Sequence, residues 1–166
     1  MLESNIKKDI VSLLQSSFSE AQKKRTLPSY VIQSSEIEST IERTKNPEHG
    51  DLSSALPLRL AKQLKMSPMA ITHAIIDEIH TLENSIAGIV PAAPGFINFH
   101  ISNDWYTDQV NEIIKSGNNF GNLSNGQGKF IQLEFGSNNP TGPLHVGHGR
   151  GVVFGSTLAN ILEAAG

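Results

Sequence analysis

The sequence has no cysteine among its 166 residues. Disulfides and thiolate metal sites are therefore excluded, a composition that fits a reducing, cytoplasmic setting. Basic excess is also lacking: the formal charge is −3 and the isoelectric point about 6.0. A broad, sequence-independent grip on nucleic acid needs a strongly basic balance, so any RNA contact has to be local. No apolar run approaches the ~20 residues of a membrane span. Acids and lysines interrupt the apolar pattern of the first residues, which rules out a signal peptide there. At 38% hydrophobic, the chain can still build a core.

What is present is organised in two styles. Ile6, Ile10, Leu13, Leu14, Phe18 and Ala21 recur at helical spacing and predict an amphipathic helix over about residues 2–24. It ends on Lys23, Lys24 and Arg25, which suit either the negative end of the helix dipole or an RNA phosphate. Apolar and acidic residues alternate over 36–42, the pattern of a half-exposed strand, and 47–51 (PEHGD) reads as a loop. A helix is expected to run to about Leu64, capped by Ser53 or Ser54, with Pro57 in its first turn. Ser67-Pro68 starts another, directing Ile71, Ile75, Ile76 and Ile79 inward. Residues 85–101 hold two strand-like runs around a Pro/Gly break. Asn103 or Asp104 can cap a helix carrying Trp105, Val110, Ile113 and Ile114. Residues 116–129, rich in glycine and asparagine, make the best linker.

Beyond the linker, Phe130 to Phe135 reads as a strand, 138–151 (NNPTGPLHVGHGRG) as a turn, and Gly147 to Ala165 as a helix with Phe154, Leu158, Ile161 and Leu162 on one side. This strand–loop–helix is half of a βαβ unit, too small to cover both faces of its strand. A glycine-rich turn entering a helix N-terminus is a natural anion site. Two phosphate motifs fail there. His148-Gly149 stands where a P-loop needs Lys-Ser/Thr, and Val152 occupies the third glycine position of the dinucleotide fingerprint. His145 and His148 fall on one side of the first turn. They admit three readings: a metal pair helped by Glu134, a capped structural pair, or two donors aimed at a phosphate gaining charge. The stripe Gly147, Gly151, Gly155 suits either close packing or a flat nucleobase.

The HVGH string resembles the HIGH signature of class I aminoacyl-tRNA synthetases, and SNNPTGPLHVGHGRG resembles arginyl-tRNA synthetases specifically. PEHGDLSSALPLRLAKQL and APGFINFHIS look like the additional domain preceding the catalytic domain in that family. The resemblance implies an α+β additional domain over 1–115, with a small sheet and about four helices. A linker over 116–129 follows, then the first strand–loop–helix of a Rossmann-like α/β catalytic domain over 130–166, its HIGH-type motif at 138–148. It implies ATP phosphate binding and adenylation by His145 and His148, with Gly147 under the adenine. It also implies an arginine pocket at Glu134, Ser137 and Asn139, and tRNA D-arm contact by Phe96 and Asn98. A carboxylate suits a guanidinium, and an aromatic with an amide suits an unstacked base. ATP with accompanying Mg2+, arginine and tRNA(Arg) are the implied cofactors and partners. No protein-bound metal and no membrane are implied, and the resemblance implies a cytoplasmic, monomeric parent. Gly136, Asn138 and Leu52 depart from the commoner family pattern. The 166 residues are expected to be a catalytically incomplete N-terminal part. The rival readings are an H-x-G-H nucleotidylyltransferase and a stand-alone RNA-binding module.

Overall fold

Apolar residues at helical spacing in the first two dozen positions form α1 (Leu2–Lys23), which buries Ile6, Ile10, Leu14, Phe18 and Ala21. The structure is a computed structural model and describes residues 2–80, 84–126, 128–139 and 141–166. Gln127 of the linker and Pro140 of the glycine-rich turn lie outside the described residues. The chain divides into two compact units, Met1–Lys115 and Ser116–Gly166.

In the first unit α1 leads to a short helix α2 (Ser34–Glu38) and strand β1 (Ile41–Arg43). The expected strand over 36–42 is thus replaced by helix, with pairing starting only at Ile41. Alternation alone does not fix backbone type. Ile37 reaches the core from the helix, and Thr40, through its Oγ and the Ile37 carbonyl, closes the turn between them. Pro47–His49 forms a 3-10 turn capped by Asn46, whose side chain accepts from the Glu48 amide. β2 (Leu52–Ser54) follows. Ser53 and Ser54, expected as caps, are strand residues, although Ser54 Oγ still accepts from the Leu56 amide at 3.2 Å. α3 (Leu56–Leu64) carries Pro57 in its first turn, and α4 (Pro68–Ile76) is capped by Ser67, which accepts from the Ala70 amide.

β3 (Ile86–Ala92) and β4 (Phe96–Ile101) form a hairpin, and the sheet order is β1-β2-β4-β3, antiparallel throughout. Pro91 sits in β3, an edge strand, where a missing amide donor is tolerated. The pleat sends Leu52, Ile97 and Phe99 to one face, which α3 and α4 cover, and α1 packs on α2 and α4. The opposite face carries the cross-strand row Glu42, Ser53, Asn98, Val90. Leu52, the departure after HGD, is buried opposite Phe99, so it is a core residue. Gly50 turns the chain with φ +83°, and a Cβ there would stand 2.7 Å from the Phe99 carbonyl oxygen. α5 (Asn103–Ser116) ends the unit. Its cap is Ser102, whose Oγ accepts from the Trp105 amide, rather than Asn103 or Asp104.

The second unit holds a 3-10 turn (Gly117–Asn119) and one long helix, α6 (Val146–Ala164). Residues 130–135 form no strand: among the described residues the sheet contains β1 to β4 alone. A strand is stable only when its amides and carbonyls find a partner ladder, and none is offered to this segment. The apolar side expected of α6 is largely open, with Phe154 72% exposed. The Leu123 and Gly126 amides donate to the Ala164 and Ala165 carbonyls, closing the C-terminal end of the helix. Among the described residues no helix is long and apolar enough to cross a membrane.

Candidate nucleotide and RNA sites

At the start of α6 the two histidines are held by backbone. His145 is the N-cap residue, and its Nδ1 accepts from the Gly147 amide at 3.1 Å. His148 Nδ1 accepts from the His145 amide at 3.2 Å, closing a reciprocal cap. The rings stack with centroids 3.8 Å apart and planes 21° from parallel. A neutral imidazole that accepts at Nδ1 carries its proton at Nε2. Capping and donation are therefore compatible: the ring nitrogens facing the backbone fix the helix start, and both Nε2–H groups remain as donors. His145 is exposed and His148 half-buried.

Glu134, Ser137 and Asn139 are all exposed, and Ser137 Oγ donates to Glu134 Oε1 at 2.6 Å. That bond orients the carboxylate and leaves Oε2 for another donor. The glycine stripe is not uniform. Cβ atoms at Gly151 would meet nothing within 4 Å, whereas at Gly155 one would lie 2.2 Å from Cγ of Phe135. At Gly147 the nearest group is the His145 ring, at 3.0 Å. Among the described residues no three His, Asp or Glu side chains gather as metal ligands.

In the first unit Phe96 and Asn98 stand on the sheet face away from the helices. Asn98 is 5% exposed; its Oδ1 accepts from Ser53 Oγ at 2.7 Å, and its Nδ2 bonds to no described residue. Phe96 is half-buried. Both line an open cavity of about 440 Å³ whose rim carries Arg43, Lys45, His49 and Arg59. Sequence reading missed these four basic residues. They come from β1, the segment after it, the 3-10 turn and α3, and the fold brings them to the cavity that Phe96 lines. The basic end of α1 is differently employed. Lys23 pairs with Glu20 at 2.6 Å, and Lys24 with Glu78 at 2.7 Å.

The profile of the arginyl tRNA synthetase N terminal domain matches residues 5–101, more than half of the chain. The chain belongs to the arginyl-tRNA synthetase family. Among its relatives is an arginine–tRNA ligase of Dehalococcoides mccartyi, 39% identical over 161 residues, which cover 97% of this chain and 28% of that protein. The ligase of Coxiella burnetii is 42% identical over 126 residues, 76% of this chain and 21% of the relative. A solved Thermus thermophilus arginyl-tRNA synthetase aligns over 92% of this chain and 23% of its own, at 25% identity and a TM-score of 0.42. The chain thus spans about a quarter of the length of the arginyl-tRNA synthetases it matches.

Proposed function

We propose that these residues are the N-terminal part of a cytoplasmic, monomeric arginine–tRNA ligase. They would supply a tRNA-contacting domain and the first elements of a class I Rossmann-like catalytic domain. The observation that carries this reading is the match over 97% of the chain to proteins named arginine–tRNA ligase. The reaction has two steps. A carboxylate oxygen of arginine attacks the α-phosphorus of ATP and pyrophosphate leaves, giving arginyl-adenylate. A 3′-terminal ribose hydroxyl of tRNA(Arg) then attacks the carbonyl carbon and AMP leaves.

In this reading His145 and His148 use their Nε2–H groups on the phosphates, beside the positive end of α6, where charge grows in the transition state. Gly147, in the same turn, lies under the adenine of the HIGH-type motif. Magnesium would accompany the ATP and offset phosphate charge; no residue here is assigned to it. Glu134, oriented by Ser137, pairs with the guanidinium of arginine together with Asn139. Phe96 stacks on an unpaired base of the tRNA D-arm and Asn98 Nδ2 donates to that base. The basic residues around that cavity meet its phosphates.

A polypeptide of residues 1–166 alone is inactive in this account. Residues 130–135 are unpaired and the arginine-facing groups lie in the open. The test is arginine-dependent ATP–pyrophosphate exchange with tRNA(Arg) present. The whole ligase exchanges, residues 1–166 do not, and His148→Ala in the whole ligase lowers kcat by roughly 10²–10³. Robust exchange by residues 1–166, or none by the whole ligase, contradicts the proposal.

A further inference from the structure

The linker is rich in glycine and asparagine, and one pair in it is chemically distinct. Asn125-Gly126 is the single Asn-Gly step in the sequence. An asparagine side chain is open to attack at Cγ by the amide nitrogen of the next residue, and glycine, with no Cβ, hinders that attack least. Asn125 is exposed. The attacking nitrogen is engaged elsewhere: the Gly126 amide donates to the Ala165 carbonyl at 3.1 Å, and the Leu123 amide to the Ala164 carbonyl at 2.7 Å. The approach is close. A Cβ on Gly126 would stand 2.6 Å from the Gly166 carbonyl oxygen and 3.0 Å from the carbonyl carbon. The residue that makes Asn125 reactive is thus the one that lets residues 123–126 close on the end of α6.

We infer that Asn125 is a deamidation site whose rate is set by the opening of residues 123–126 from the C-terminal end of α6. While this loop is closed, the Gly126 nitrogen is held on Ala165 and is unavailable to Asn125 Cγ. Once open, that nitrogen bonds to Cγ and gives up its proton, and the side-chain amide leaves as ammonia, forming a succinimide. One water then opens the ring at either carbonyl and leaves aspartate or isoaspartate at position 125. No oxidant or further reactant is required, and the change runs one way. The formal charge of −3 becomes one unit more negative. The new carboxylate arises next to the amide that caps α6, at the negative end of the helix dipole, which repels it. Isoaspartate also adds a methylene to the backbone beside Gly126. Both products therefore weaken the closure, so each reacted chain stays open.

The experiment incubates the folded 166-residue chain at neutral pH and follows Asn125 by peptide mapping, which separates the asparagine, aspartate and isoaspartate forms. A free peptide of residues 116–129 gives the rate with the Gly126 amide uncovered. Two altered chains loosen the closure while keeping the Asn-Gly pair: Leu123→Pro, which removes one donor, and a chain ending at Asn160, which lacks both accepting carbonyls. Wild type deamidates at Asn125 ahead of its other asparagines, yet about 2- to 10-fold more slowly than the peptide, the worth of one backbone hydrogen bond. Both altered chains move toward the peptide rate. In Asn125→Asp the Leu123 and Gly126 amides exchange with solvent faster than in wild type. A wild-type rate equal to that of the peptide, altered chains that stay at the wild-type rate, or no reaction at Asn125 in any chain overturns the inference. Unchanged amide exchange in Asn125→Asp overturns the claim that the product holds the loop open.

Discussion

Asn98 is buried with its oxygen bonded to Ser53 and its amide nitrogen bonded to no described residue. A buried amide that spends only one end on the protein is suited to spend the other on a ligand. Gly50 shows a different constraint, because its left-handed φ and its approach to the Phe99 carbonyl both exclude a side chain. Gly50→Ala is expected to cost about 1–3 kcal/mol, read from the urea midpoint. Tyr106 gives a pH signature. Partial burial, then the hydrogen bond its hydroxyl donates to Asp51 Oδ1 at 3.1 Å, raise its phenol above the usual 10.0. The folded chain keeps this proton at pH values where the unfolded chain has lost it. Stability should therefore fall as pH rises from about 10 through the raised value. Absorbance titration of wild type against Tyr106→Phe should show the missing step above the usual tyrosine range; a step at or below that range contradicts the assignment.

Helices with a strong amphipathic repeat and a sharp start were legible in the sequence. α1 was read from its apolar spacing, and α4 from Ser67 as cap and Pro68 behind it. Where local pattern had to stand in for pairing, legibility failed. Glu36 to Glu42 alternates like a strand, yet its first part is helical because one turn suffices to bury Ile37. Phe130 to Phe135 has strand composition and no partner. The histidine pair was legible as two rings on one turn, but not the reciprocal cap that fixes which nitrogens face outward. The four basic residues around Phe96 were invisible, since they come from separate elements and converge only in the fold. The ends of α1 and α4 are joined by Lys24 and Glu78. The Glu78 side chain is 6% exposed, and the ammonium approaches Oε2 off the line of a good hydrogen bond, so charge carries the contact. Lys24→Met leaves that buried carboxylate with the more distant His80 ring, 3.7 Å from Oε2, and should destabilise by about 1–3 kcal/mol. Adding Glu78→Gln should recover part of the loss in a double-mutant cycle.

For the whole molecule, the division into Met1–Lys115 and Ser116–Gly166 separates two kinds of stability. The first unit holds the buried apolar core, whereas the second leaves most of one helix in solvent. Dilute chymotrypsin should cut first in the second unit, foremost after Phe130, which is 92% exposed and outside any helix or strand, and leave a resistant N-terminal product. A first cut inside the sheet would argue against this division. A chain with formal charge −3 lacks the basic excess of a general RNA binder, so the proposed recognition should rest on the face around Phe96 and Asn98, with a salt dependence set by the few basic residues there. The most direct measurement is the affinity of residues 1–166 for tRNA(Arg), by fluorescence anisotropy, for wild type, Phe96→Ala and the surface control Val31→Ala. Wild type should bind saturably and Phe96→Ala should bind about 5- to 100-fold more weakly, the worth of one stacked base, with Val31→Ala unchanged. Equal affinity for all three chains, each shown to be folded, would contradict it.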